Sequence, residues 1–387
     1  MSAVAIKGWC PGALRPMQSG DGLVVRVRPR GGRLDAMQAA GIADLAARHG
    51  NGLIDLTSRA NLQIRGVSED GYPALIEGLA ELGLLDTDSE TEAQRNILVT
   101  PFWTAADDTR PLAAELEQAL AGASLDLPTK FGFAIDDGHQ RVLAGASADI
   151  RIERDRNRGL LVRADGAQFG LSVTRSGAVQ VALALAEWFI ASGGARGEKR
   201  RMAAHLTAGA SLPESLRGDA EPVARSANPV PGLTPTGAMV GVAFGQMPHH
   251  TLGRLAMCAQ ALRMTPWRMM LAEGMREMPR GVDLVSDPDD PALRVIACSG
   301  APRCRDAYAD TRALASALAR HIPPDARLHV SGCAKGCAHS GAADVTLVAS
   351  REGFDLIRRG TTRDTPVMRG LTGSDLVANP SLLSGAH

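Results

Sequence analysis

The chain has 387 residues, 45% of them hydrophobic and 22% charged, which is enough to build two or three domains with cores of their own. Basic and acidic residues number 42 each, so the formal charge is zero and no global field marks a binder of nucleic acid or of anionic membranes. The opening MSAVAIKGWCPGALRP lacks a basic segment followed by an apolar run, and the longest apolar stretch, Ala178 to Ala191, is too short for a bilayer and carries Glu187.

These features predict a cytoplasmic chain with reduced thiols, whose clustered cysteines serve metal binding or catalysis rather than disulfides. From Gly22 the pattern alternates strand and helix. GLVVRVRP alternates as a strand, and LDAMQAAGIADLAARHG has helical apolar spacing closed by Gly50. LIDL and LQIRG read as short strands about the turn TSRAN, and YPALIEGLAELGLL as a second amphipathic helix. A sheet with helices on one side, of the α+β type, follows. Arg151, Arg154, Arg156 and Arg158 read as an exposed strand and turn, and Ala178 to Ala191 as a buried helix.

Residues 193–237, with SGGARGEKRR and PVARSANPVPGLTPTG, are rich in structure breakers and read as the connection between two halves. After it the pattern restarts: AMVGVAFG as a strand, HTLGRLAMCAQAL as a helix, then WRMMLAEG in place of the strand pair. RVIAC at Arg294 echoes RNILV at Arg95, and ADVTLVASREGFDLIRRG at Ala343 echoes ADIRIERDRNRGLLVRADG at Ala148, at offsets of 199 and 195 residues. Two echoes in one order predict a duplicated, pseudo-twofold chain.

Four of the six cysteines fall in two close pairs, Cys298-x5-Cys304 and Cys333-x3-Cys337. A lone cysteine is most often a small buried hydrophobe, the reading given to Cys10 and Cys258. Two close pairs are different. Zinc knuckles have two to four intervening residues, whereas a five-residue loop with Gly300 and Pro302 suits a cube of iron and sulfide. Small neighbours such as Ser299, Gly332, Ala334 and Gly336 let backbone N–H groups reach the sulfurs. A [4Fe–4S] cluster is the expectation and a zinc staple the alternative.

In the first half, TSRANLQIRG, RNILVTP and LPTKFGFAI place Arg59, Arg65, Arg95 and Lys130 about strand ends. Singly each is a solvated charge; together they form what a ligand with many carboxylates needs. Walker and Rossmann motifs are absent, as are Ser/His/Asp and H-E-x-x-H arrangements, so reducing equivalents must come from an external electron donor protein.

The cysteine pairs, the duplication and those three strings resemble the nitrite and sulfite reductase hemoprotein superfamily, from Gly22 to about Gly360. The resemblance implies ferredoxin-like half-domains and two mixed α/β sheet domains in pseudo-twofold arrangement. It divides the chain into residues 1–90 (N-terminal strand and first half-domain), 91–192 (first reductase-like domain, macrocycle-binding, without a cluster), 193–237 (linker), 238–290 (second half-domain) and 291–387 (cluster domain).

It also implies that Cys298, Cys304, Cys333 and Cys337 bind [4Fe–4S], with Cys337 the bridge to sirohaem where that is present, and that Arg59, Arg95 and Lys130 hold the macrocycle's carboxylates or a small anion. The family's lysine pair is reduced to Lys130, with Gly132 in the second place, which argues against oxyanion reduction. GWCPGALRPMQSGDGLVVRV, GVAFGQMP and MTPWRMM look instead like a branch in aerobic cobalamin biosynthesis that uses dioxygen to hydroxylate precorrin-3A while a ring-A acetate closes a lactone. That branch implies a mononuclear non-haem iron besides the cluster, with ligands unknown. His249, His250, His139, His329 and His339 are the histidines considered, the last three expected to be ordinary surface residues. The alternatives are a sirohaem-dependent sulfite or nitrite reductase, a non-catalytic iron–sulfur electron carrier and a zinc-stapled structural protein.

Overall fold

A computed structural model describes residues 11–138, 140–197, 200–281 and 283–383; Cys10 and His139 lie outside them. The first half begins with β1 (Met17–Ser19), β2 (Gly22–Val27), β3 (Arg33–Asp35), α1 (Ala36–His49), β4 (Leu53–Leu56), β5 (Leu62–Val67) and α2 (Tyr72–Glu81). It continues with α3 (Ser89–Gln94), β6 (Ile97–Val99), α4 (Thr109–Gly122), β7 (Phe133–Asp136), β8 (Ile150–Arg154), β9 (Leu160–Ala164), β10 (Leu171–Val173) and α5 (Ala178–Ala191). After α6 (Met202–Thr207) come β11 (Gly232–Leu233), β12 (Gly237–Gly241), β13 (Gln246–Pro248), α7 (His249–Cys258), β14 (Ala261–Met264) and β15 (Met269–Glu273). The chain closes with β16 (Val295–Ala297), α8 (Thr311–Ala319), β17 (Leu328–Ser331), β18 (Ala343–Ser350), β19 (Gly353–Gly360), β20 (Met368–Leu371) and α9 (Gly373–Ala378).

Two five-stranded sheets exchange an edge strand. One runs β1-β2-β5-β4-β13 and the other β11-β12-β15-β14-β3. β3 of the first half thus pairs with β14, and β13 of the second with β4. The cause is local: each exchanged strand follows a tight turn, left-handed at Gly31 (φ 56°) and at Phe244 (φ 54°), that aims the chain out of its own sheet and into α1 or α7. Asp35 starts α1 with a capping box to Gln38. α1 and α7 pack together, the small Ala43 and Gly253 allowing close approach, and one core joins Ile42, Ile54 and Ile64 to Met247, Leu252 and Leu262.

The other two sheets are copies in topology. β6, β7 and β8 are parallel and β9 and β10 antiparallel; β16, β17 and β18 are parallel and β19 and β20 antiparallel. Phe133 lies between Ile97 and Ile150, as Leu328 lies between Val295 and Val345. The strands therefore superpose at offsets of 345 − 150 = 195 and 295 − 97 = 198. The echo at Ala148 and Ala343 is in register; that at Arg95 and Arg294 is one residue out.

Three expectations need correction. The helix after β13 ends at Cys258, and Ala261–Met264 is a strand, because its backbone completes the ladder between β15 and β3. Cys258 is exposed rather than buried, as the last residue of that shortened helix. Arg151 is buried, not exposed: on β8 it pairs with Asp165 at 2.7 Å and donates to the carbonyls of Leu143 and Ala146. Arg154 likewise donates to the Asp137 carbonyl. Residues 220–226 run along this first-half sheet, with bridges from Gly170 to Ala220 and from Asp155 to Pro222. Among the described residues no helix is long and apolar enough to cross a membrane.

Candidate cluster and substrate site

Both cysteine pairs grow from the C-terminal ends of parallel strands, where open α/β sheets place their sites. Cys298 follows β16, and Cys333 follows β17 after Gly332. The Gly332 N–H donates to Cys298 Sγ at 3.2 Å, and a Cβ there would meet Ala307 at 2.7 Å. Thr311 at the start of α8 donates to the Cys298 carbonyl, Ser331 to that of Cys333, and Lys335 pairs with Asp306 at 2.7 Å, tying the two loops together. Burial raises the Cys333 thiol, with Cys304 and Cys298 adding to it against a backbone hydrogen bond from Lys335. Cys337, the most exposed of the four, is raised by the packing about it and by Cys333, Cys298 and Cys304. The four thiols therefore share one electrostatic environment.

Among the described residues no three His, Cys, Asp or Glu side chains converge closely enough to hold a single ion. Thiolates around an iron–sulfur cube stand farther apart than the ligands of one zinc, and a backbone N–H aimed at Cys298 Sγ suits such a cube. The donor set fits [4Fe–4S]. Among the described residues nothing comparable gathers for a mononuclear iron: His249 and His250 lie edge-on to each other at 5.6 Å, and His250 pairs with Asp283 at 3.5 Å on the surface.

The facing wall is the β1-β2-β5-β4-β13 sheet. One of its faces packs on α1 and α2; strand register puts Arg26, Gln63, Asp55 and Gln246 in a row on the other. Gln246 donates to Asp55 at 2.7 Å, and Arg312 of α8 reaches the same carboxylate at 3.5 Å. The seam closes where Ser19 and Gly20 donate to the Arg303 carbonyl of the cysteine loop at 2.9 and 3.0 Å. Glycine is required at Gly20, since a Cβ would lie 2.7 Å from the Pro302 carbonyl oxygen. Burial lowers Arg312, with Asp55 opposing and Arg303 and Arg65 reinforcing; burial and then Arg312 and Arg327 lower Arg268 to about 10. Positive charge thus gathers at the seam, from Arg26 and Arg65 on the wall and from Arg268 and Arg312 of the second half.

The expected substrate residues are distributed unevenly. Arg59 donates to the Lys130 carbonyl at 3.2 Å, a Cβ on Gly132 would lie 3.8 Å from Arg59 Nη1, and Arg59 and Arg95 line one narrow cavity of about 10 Å³ with Asn61, Asn96 and Ser147. Arg95 is buried in a bidentate pair with Asp86 at 2.8 and 2.9 Å and donates to the Arg28 carbonyl. Arg65 stands apart on the sheet wall, bidentate to Asp21 and 3.7 Å from Asp55.

Sequence reasoning missed Arg26, Arg28, Asp55, Arg268 and Arg312. The alternation in VVRVRP carried the signal for the first two; Arg312 carried none, because a helix start in the other half presents it. His329 was also misjudged: it is wholly buried on β17, with its ring edge-on to His339 at 5.6 Å.

The nitrite/sulfite reductase ferredoxin-like half domain matches residues 15–82. The chain is 28% identical to a precorrin-3B synthase from Sinorhizobium sp, over 93% of this chain and 84% of that one. It is 25% identical to a ferredoxin–nitrite reductase from Leptolyngbya laminosa, over 95% and 87% respectively. Among solved structures, the Mycobacterium tuberculosis NirA protein superposes with a TM-score of 0.62 at 18% identity, covering 92% of this chain and 79% of that one. The half-domain match, the duplicated fold and these relatives agree: the chain has a nitrite/sulfite reductase-like fold and is similar in sequence to a precorrin-3B synthase and to ferredoxin–nitrite reductases.

Proposed function

We propose that this chain is an iron–sulfur monooxygenase that converts precorrin-3A to precorrin-3B, hydroxylating the macrocycle while a ring-A acetate closes a lactone. The observation that carries the reading is the cation-rich sheet wall of the first half set against the four thiols of the second. A polycarboxylate tetrapyrrole loses hydration on entering such a space, and charge-assisted hydrogen bonds offset that loss. Arg59 and Lys130 would orient its carboxylates at one edge, with Arg95 and Arg65, held by Asp86 and Asp21, adding buried positive charge behind them. Cys298, Cys304, Cys333 and Cys337 would hold [4Fe–4S], which supplies one-electron transfer when bound. No ligand is assigned to a mononuclear iron and no step is routed through one. In the balanced reaction one oxygen atom enters the product hydroxyl and the other leaves as water, with two electrons from an external donor protein and two protons. A cytoplasmic setting fits thiols kept for metal.

The test is turnover of precorrin-3A under oxygen-18 gas by anaerobically purified protein. One labelled atom should appear in the product hydroxyl, and undiminished turnover without dioxygen would sink the monooxygenase. The similarity to ferredoxin–nitrite reductases favours sirohaem-dependent reduction of sulfite or nitrite as the second reading. A sirohaem absorption band with four irons and sulfite turnover would establish it, whereas iron and sulfide without sirohaem supports the first. Zinc alone would return the cysteines to a structural role.

A further inference from the structure

Strand β17 carries an imidazole with no visible bond to make. His329 is wholly buried, and neither ring nitrogen has a hydrogen-bond partner among the described residues. Buried polar groups are nearly always paired, so an exception of this kind marks a role. Burial, then His339 and Arg268, lower its pKa to about 4, so the ring is neutral near pH 7 with one N–H to donate and one lone pair to accept.

The duplicated fold shows what that layer of the sheet does in the other copy, where Ala134 stands at the position of His329. His329 shares a layer with Ile296, Thr346 and Ile357, on the sheet face turned away from α8; the matching layer of the first half is Leu98, Ala134, Arg151 and Arg163. There Arg151 fastens the β7–β8 connection by donating to the carbonyls of Leu143 and Ala146 at 2.9 and 2.7 Å. In the second half Thr346 stands in its place, and its hydroxyl donates instead to the Gly360 carbonyl at 2.7 Å. The β17–β18 connection it would have to fasten is the loop of Cys333 and Cys337. Thr362 ties the near end of that loop through the Ala334 carbonyl, while the stretch over His329 closes on itself, His339 N–H to Gly336 and the His339 ring against the Ala342 carbonyl at 3.3 Å.

We propose that His329 is the positioning residue of this cysteine loop: its N–H is the anchor onto which the loop closes when the four thiols are ligated. His329 would then do for the second half what Arg151 does for the first. The inference rests on the cluster reading above.

Full-length wild type, His329→Leu and His329→Asn, each reconstituted anaerobically with iron and sulfide, give the test. Cluster loss to a chelator is followed by absorbance, the midpoint potential by redox titration, and the cluster-free proteins by urea unfolding. The expected result is loss at least about fivefold faster in His329→Leu with a shifted potential, partial recovery in His329→Asn, which keeps an N–H donor, and cluster-free leucine protein no less stable than wild type. Equal retention and potential in both variants, or a leucine variant equally weakened without the cluster, would overturn the anchor and leave the cluster reading standing. A wild type that takes up no cluster would overturn both.

Discussion

On the β1-β2-β5-β4-β13 sheet the row facing away from the helices reads Arg26, Gln63, Asp55, Gln246; on its copy in the other sheet the row reads Met239, Leu271, Arg263, Arg33. The loops that meet these rows differ in the complementary sense. After β16 comes Cys298 to Cys304, and after β6, at the matching point, come Phe102 and Trp103. Trp103 lies under the Arg263 guanidinium, 3.4 Å from ring centre to Cζ, and Arg263 donates to the Pro101 and Trp103 carbonyls at 2.8 and 2.6 Å. Met239, Met269 and Leu271 close around Phe102 and Trp267. One copy of the architecture is packed shut with apolar and aromatic side chains; the other is kept polar, with its cations facing thiols. A duplicated fold can thus put stability in one copy and chemistry in the other, because dry packing and charged, hydrated surface are incompatible in one space.

The comparison breaks first at the cysteines. Serine at Cys298, Cys304, Cys333 or Cys337 should abolish iron–sulfur absorbance and turnover, while Cys258→Ser, at an exposed helix end, should leave both. Full cluster content in Cys333→Ser would show that the ligand set is wrong.

In the closed copy the expected loss is stability. Trp103→Ala removes a buried indole and should cost about 3–5 kcal/mol in urea unfolding, with cluster content unchanged. If it instead lowered cluster occupancy while stability held, the two copies would not be independent.

Arg59→Ala and Lys130→Ala should weaken tetrapyrrole binding by about ten- to a hundredfold each, or ~1.5–3 kcal/mol, with the cluster intact. Arg95→Ala should do the same but also cost stability, because it strands buried Asp86. Calorimetry and unfolding on the same samples separate the two, and unchanged affinity in all three would remove these residues from the substrate site.

The smallest effect is a slope. Burial raises Asp136 to about 7, with Leu143 N–H opposing and Glu153 reinforcing. The folded chain therefore holds a proton that the unfolded chain releases. That contribution to stability is whole below about pH 4 and is lost as pH rises through about 7. Asp136→Asn should flatten the fall in urea midpoint across that range, and an unchanged slope would show that Asp136 ionises normally.

Much of the architecture was legible because it is local. The helices ending at His49 and Glu81 and the helix Ala178–Ala191 follow from apolar spacing, and TSRAN is a turn because Thr57 accepts from the N–H groups of Arg59 and Asn61. The second hairpin was not legible as a copy of the first. TPWRMM shares the turn, with Thr265 accepting from Trp267 and Arg268 left-handed where Ala60 is, yet its strands carry apolar residues where the first carries Asn61 and Gln63. Alanine and leucine in Ala261–Met264 satisfy both helical and strand periods, and only the neighbouring strands decide between them.

By itself the sequence determined the four cysteines and their spacing, the repeat, and the excess of arginine about the strand ends of the first half, since these are matters of residue type and short-range order. Tertiary structure decided which charges are available. Arg95 and Arg65 became buried partners of Asp86 and Asp21, Arg151 became a buried tie, and Arg312 arrived at Asp55 from 257 residues away (312 − 55). It also exchanged one strand between the half-domains, set the cysteine loop of the second half against the cationic face of the first, and buried His329. The physical reason is that burial and electrostatic partnership depend on which surfaces meet, and spacing along a chain carries no record of a partner in the other half.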